Sequence, residues 1–117
     1  MSATVINEKE MIYFADLSET YPDDSGLLLF LLMNFVTLEP GDFIYVSPGV
    51  THAYLRGNVV EITSNSDNVI RCGLTPKYVN AQEFLSIASF VSEQPQIQTP
   101  AESLHSYESP TPLSLIH

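Results

Sequence analysis

EPGDFIYVSPGVTHAYLRGNVVEITSNSDNVIRCGL, residues 39–74, is the stretch on which the fold of this chain turns. Short apolar segments rich in β-branched and aromatic side chains alternate in it with turn chemistry. Glu39-Pro40-Gly41-Asp42 and Ser47-Pro48-Gly49 each put proline ahead of glycine, and Arg56-Gly57-Asn58 makes a third break. Between the breaks, Phe43–Val46, His52–Leu55, Val59–Thr63 and a last segment around 69–74 read as strands. Short strands at such close spacing point to a sandwich or barrel rather than a parallel βαβ sheet. The expected fold class is mainly β.

Upstream, residues 27–36 form an almost continuous apolar run, read as a buried strand with a helix as the alternative. Before it, Tyr21-Pro22-Asp23-Asp24-Ser25-Gly26 is a break. NEKEMIYFADLSET, residues 7–20, reads as a short helix with Asn7 as its N-cap and Glu8 and Glu10 in its first turn. Downstream, residues 80–91 read as a helix capped by Asn80, with Phe84, Leu85, Ile87, Ala88 and Val91 on one face. After Ser92 the chain turns polar and proline-rich, which predicts a disordered tail. The expected organisation is one folded segment, 1–92, and a tail, 93–117. About five strands are half of a closed double-sheet barrel, and half a barrel leaves edges that invite a second copy or a partner chain.

Charge narrows the function classes. Four basic and fourteen acidic side chains leave a formal net charge of -10, which argues against nucleic acid as a partner. A small anion stays compatible, because a few local cations dominate at close range. The single cysteine, Cys72, rules out an internal disulfide. The N-terminus lacks the pattern of a secretory signal, and the longest apolar run, Gly26 to Phe35, is too short to span a bilayer. The expectation is a cytoplasmic chain with no membrane partner.

The chemistry concentrates in residues 52–77, HAYLRGNVVEITSNSDNVIRCGLTPK. On a strand, His52 and Tyr54 share one face, and so do Glu61 and Thr63. Ser66-Asp67-Asn68 makes a turn, and Arg71 and Lys77 are two of the four cations in the chain. Read singly, these residues have plainer roles. His52 is a hydrogen-bonded strand histidine, Arg71 a structural partner for Glu61, and Lys77 a solvated surface charge. His105 and His117 fall in the tail, and Cys72 reads as a small core residue.

As a set, they resemble the type I mannose-6-phosphate isomerases. The family signature runs His-Ala-Tyr, an aliphatic residue, any residue, Gly, then Glu, Ser-Asp-Asn, Arg and Gly-x-Thr-Pro-Lys. This sequence reproduces it at His52-Ala53-Tyr54-Leu55, Gly57, Glu61, Ser66-Asp67-Asn68, Arg71, Gly73 and Thr75-Pro76-Lys77. The likeness extends outward through Asn34-Phe35-Val36, Leu38 and Pro40-Gly41 on one side and residues 80–90 on the other. It covers about residues 20–92. Thr63-Ser64 stands where the family usually has Met-Ala, and Cys72 where it has Ala.

The resemblance implies a cupin-like (jelly-roll) partial barrel with short flanking helices. It also implies kinship to a zinc-dependent isomerase that interconverts mannose 6-phosphate and fructose 6-phosphate through an enediol. By that likeness His52 is a zinc ligand and Arg71 the catalytic cation. Tyr54, Glu61, Asp67 and Lys77 line the substrate pocket, and either Glu61 or Asp67 carries the proton. The family's remaining zinc ligands, a Gln-x-His pair and a Glu upstream of the His-Ala-Tyr strand, have no counterpart here. The chain is thus expected to be an incomplete relative in which one histidine does not hold zinc by itself. The alternative is a non-catalytic cupin-like module that binds sugar phosphate or pairs with another chain.

Overall fold

The structure, a computed structural model, describes residues 7–66, 68–101 and 106–107. In chain order its elements are α1 (Glu8–Thr20), α2 (Gly26–Leu32), β1 (Phe43–Ile44), α3 (Ala81–Ile87) and β2 (Ile97–Gln98). They fall into two compact units, one of Met1–Phe35 with Ile70–Ala88, the other of Val36–Val69 with Ser89–His117.

In the first unit, α1 begins where its polar start signals place it. The Asn7 side chain accepts the Glu10 N–H at 2.9 Å, and the Glu10 carboxylate accepts the Asn7 N–H at 2.8 Å. This reciprocal pair satisfies donors that the first turn leaves without helical partners. At the other end the Tyr21 N–H donates to the Leu17 carbonyl at 2.8 Å, and Pro22 prevents continuation. The helix packs by its rings: Tyr13 lies 5.5 Å from Phe35 and Phe14 lies 6.0 Å from Phe30, centroid to centroid. The Lys9 ammonium sits 5.9 Å from the centroid of the Phe35 ring.

The apolar run from Leu27 opens as helix α2, not as a strand. Its residues, Gly-Leu-Leu-Leu-Phe-Leu-Leu, include no β-branched side chain, and leucine is a strong helix former. At Met33 the backbone turns extended, with ψ of 155°. Helix α3 is capped by Asn80 as expected, its side chain accepting the Glu83 N–H at 3.1 Å, but it stops at Ile87 rather than Val91.

In the second unit the two Pro-Gly turns form. Asp42 N–H donates to the Glu39 carbonyl at 3.0 Å and Val50 N–H to the Ser47 carbonyl at 3.2 Å. Gly41 and Gly49 take φ of 92° and 81°, the left-handed position that the third residue of a type II turn requires. Strand β1 follows the first turn and pairs antiparallel with β2, Phe43 opposite Gln98 and Ile44 opposite Ile97. Residues 97–98 lie in the stretch expected to be a tail. Tyr107 also reaches this region, stacking on Phe43 at 5.1 Å and donating its hydroxyl proton to the Gly41 carbonyl. A parallel bridge joins Val50 and Ser89. The segments 52–55, 59–63 and 69–74, whose patterns read as strands, form no named strand among the described residues. An alternating pattern prepares a surface, but a ladder needs a partner edge.

Among the described residues no hydrophobic side chain is buried, and Leu32, Tyr78 and Val60 are each more than 80 % exposed (83 %, 82 % and 81 %). No helix among them is long and apolar enough to cross a membrane.

Candidate functional site

The second unit gathers three of the residues singled out by their chemistry. Just beyond the Ser47–Val50 turn, the ring of His52 meets that of Tyr54 edge-on, 5.9 Å between centroids and 71° between planes. Glu61 acts on the Tyr54 hydroxyl. That hydroxyl is pushed above the ordinary phenol range, first by partial loss of water, then by the negative charge of Glu61 and by hydrogen bonding to it. Tyr54 is still 62 % exposed, so the pair weighs little in stability.

His52 is oriented by its own backbone neighbourhood. Its Nδ1 lies 3.0 Å from the Val50 carbonyl. A carbonyl only accepts, so Nδ1 is the donor in this contact and Nε2 is left out of it. This is how metal-ligating histidines are commonly held, one ring N–H anchored so that the other nitrogen points outward. The orientation suits a ligand, but the donor set does not amount to a zinc site. Zinc asks for three or four protein ligands. Among the described residues no group of three or more His, Cys, Asp or Glu side chains stands together.

The two cations belong to the first unit. Arg71 is half-buried and Lys77 exposed, the Lys77 N–H donating to the Thr75 hydroxyl at 3.2 Å. Asp67, His105 and His117 lie outside the described residues.

One residue of this region escaped the sequence reading. Asp24 sits in the break between α1 and α2, where it reads as turn chemistry and nothing more. Its carboxylate accepts the Gly26 N–H at 2.7 Å through Oδ1 and the Leu74 N–H at 3.0 Å through Oδ2. The first bond is the side-chain turn that an Asp two residues ahead of a Gly signals. The second joins residues fifty positions apart, and no local pattern announces it. Cys72, next to Arg71, is a half-buried free thiol. Burial raises its pKa and the Asp24 charge raises it further, partly offset by a backbone hydrogen bond.

Relatives of the chain bear the name of the family that the signature resembles. Mannose-6-phosphate isomerase of Salmonella typhimurium is 49% identical over 74 residues, 63% of this chain and 19% of that protein. The Escherichia coli enzyme is 47% identical over the same shares. The Bos taurus enzyme is 35% identical over 103 residues, 82% of this chain and 24% of that protein. An alignment covering 82% of the chain cannot avoid residues 52–77. The chain belongs to the mannose-6-phosphate isomerase family. It spans 19–24% of the length of these mannose-6-phosphate isomerases. No family model and no solved structure matches it.

Proposed function

We infer that the chain carries part of a sugar-phosphate isomerase site, with mannose 6-phosphate and fructose 6-phosphate as its substrate pair. What supports this is the 35–49% overall identity to named mannose-6-phosphate isomerases, taken with the signature at His52, Tyr54, Glu61 and Arg71. Aldose–ketose exchange moves a proton between neighbouring carbons while negative charge builds on an oxygen. Arg71 is the permanent cation for that oxygen, since its guanidinium donates in a fixed fork and stays charged. Glu61 or Asp67 takes the proton from one carbon and returns it to the next. Tyr54 holds the Glu61 carboxylate by hydrogen bonding, and Lys77 adds positive charge for the phosphate. By the same resemblance His52 would contribute one ligand to a zinc site whose other ligands this chain does not carry. The same reading expects a cupin-like fold and a cytoplasmic protein.

Titration calorimetry with mannose 6-phosphate in zinc-free buffer tests the site. Binding is expected, weakened about tenfold or more by Arg71→Ala, because hydrogen bonds to charged groups contribute about 1.5–3 kcal/mol. Equal affinity for both chains, or none for either, sinks the reading. A coupled assay for fructose 6-phosphate with and without zinc then separates an enzyme from a non-catalytic binding module.

A second reading, a pairing module, is favoured by the exposure of Leu32 and Val60. Sedimentation at rising concentration decides it: a monomer throughout removes self-pairing.

A further inference from the structure

Arg71 is followed by Cys72, Gly73 and Leu74, and this short run is held to the start of α2 more tightly than a surface loop would be. The Asp24 carboxylate bridges the two, with one oxygen on the Gly26 N–H at 2.7 Å and the other on the Leu74 N–H at 3.0 Å. The backbones touch at two glycines. A Cβ on Gly73 would come within 2.5 Å of Asp24 Oδ1 and 3.0 Å of the Gly26 Cα, and one on Gly26 within 2.8 Å of Leu74 Cγ. Gly26 is buried. The clasp also holds backbone that does not hold itself. Leu74 takes φ of 52° and Asp23 φ of 64°, a region that L side chains rarely adopt and that persists where surroundings impose it.

We propose that Asp24 is a positioning residue for the substrate-facing cation, fixing the backbone from which the Arg71 guanidinium is carried. This rests on the reading of Arg71 as that cation. Positioning of this kind matters for chemistry because the donor must already stand where charge will develop. Neither lost hydrogen bond alone would unfold the unit, yet losing both frees the run that begins at Arg71.

The test uses the full chain with Asp24→Ala and with the near-isosteric Asp24→Asn, which keeps one acceptor oxygen for two amides. Amide hydrogen exchange at Leu74 and the ¹⁵N–¹H signal of the Arg71 Nε are read without any sugar phosphate. Arg56, the other arginine, is the internal control. The expected result is at least tenfold faster exchange at Leu74 in Asp24→Ala and a smaller increase in Asp24→Asn. The Arg71 Nε signal should move in both variants, with the Arg56 signal unmoved and helix content retained. An unmoved Arg71 signal, or unchanged Leu74 exchange, overturns the proposal. So does loss of helix content in Asp24→Asn, since Asp24 would then be a folding determinant. Mannose 6-phosphate binding supplies the second arm: Asp24→Ala weakens it, and adding Asp24→Ala to Arg71→Ala weakens it no further. Full additivity in that cycle also overturns positioning. If the wild-type chain binds no sugar phosphate, the functional reading fails, while the exchange and Nε signals still judge the clasp.

Discussion

His52 and Cys72 show how much chemistry is settled within a few residues and how much is not. The histidine's anchor is the carbonyl two residues back, so its orientation is local. A ¹⁵N spectrum should show the proton on Nδ1 and the lone pair on Nε2, and the opposite tautomer would remove the argument for His52 as a prepared ligand. Cys72 depends on a distant neighbour. Burial and Asp24 both hold its thiol in the protonated form. Its folded-state pKa is therefore raised, so the associated stabilisation is present below the ordinary thiol pKa and is lost as pH rises through the folded value. Alkylation of Cys72 in the folded chain should be slow at neutral pH, with a midpoint above the ordinary thiol range. Asp24→Asn should bring that midpoint down; a midpoint unchanged by the substitution would mean that Asp24 does not act on the thiol. The signature residues were named through the family resemblance, at His52, Tyr54, Glu61 and Arg71. Asp24 could not be picked out in the sequence, because its second partner is fifty residues away.

At the scale of elements, the helix starts were legible and the strands were not. Asn7 and Asn80 cap α1 and α3 through bonds that span three residues, a distance sequence reading handles well. Asn7→Ala should cost about 1 kcal/mol and lower the helical circular dichroism, since two first-turn donors lose their arrangement. The run at Leu27 could be read as strand or helix because continuous apolar sequence carries no period, and the missing β-branched residues were the clue that could have decided it. The strand-like segments are another matter. Strand β1 exists because Ile97 and Gln98 pair with it, and Tyr107 closes over the turn before it. Gly41 carries a local requirement, with φ of 92° and Pro100 Cγ 3.0 Å from where a Cβ would sit. Gly41→Ala should lower the midpoint of thermal unfolding by a few degrees, roughly what a cost of 1 kcal/mol produces in a chain of this size. Tyr107→Phe removes the bond to the Gly41 carbonyl and keeps the stacked ring; amide exchange near β1 should quicken in it, and more so in Tyr107→Ala.

At the scale of the whole molecule, many apolar side chains among the described residues stand in solvent. With no hydrophobic side chain fully buried among the described residues, the term that dominates folding of a domain rests on half-buried side chains here. Surfaces that expose this much apolar area bind partners or associate. The chain should therefore raise the fluorescence of a hydrophobic dye and sediment as larger species as concentration increases. Val60→Lys and Leu32→Lys, at positions 81 % and 83 % exposed, should reduce both effects without loss of helix content. A dye-silent monomer at every concentration would show that these surfaces are not adhesive. From the sequence alone came the family, the acidic charge that argues against nucleic acid, the capped helices, the Pro-Gly turns and the residues able to do chemistry. Each of these depends on side-chain identity or on hydrogen bonds spanning a few residues. Tertiary structure alone decided that Ile97 and Tyr107 return to β1 and that Asp24 holds the backbone after Arg71. Those outcomes depend on which distant groups meet, and pairing across many residues follows from packing and partner edges rather than from any local pattern.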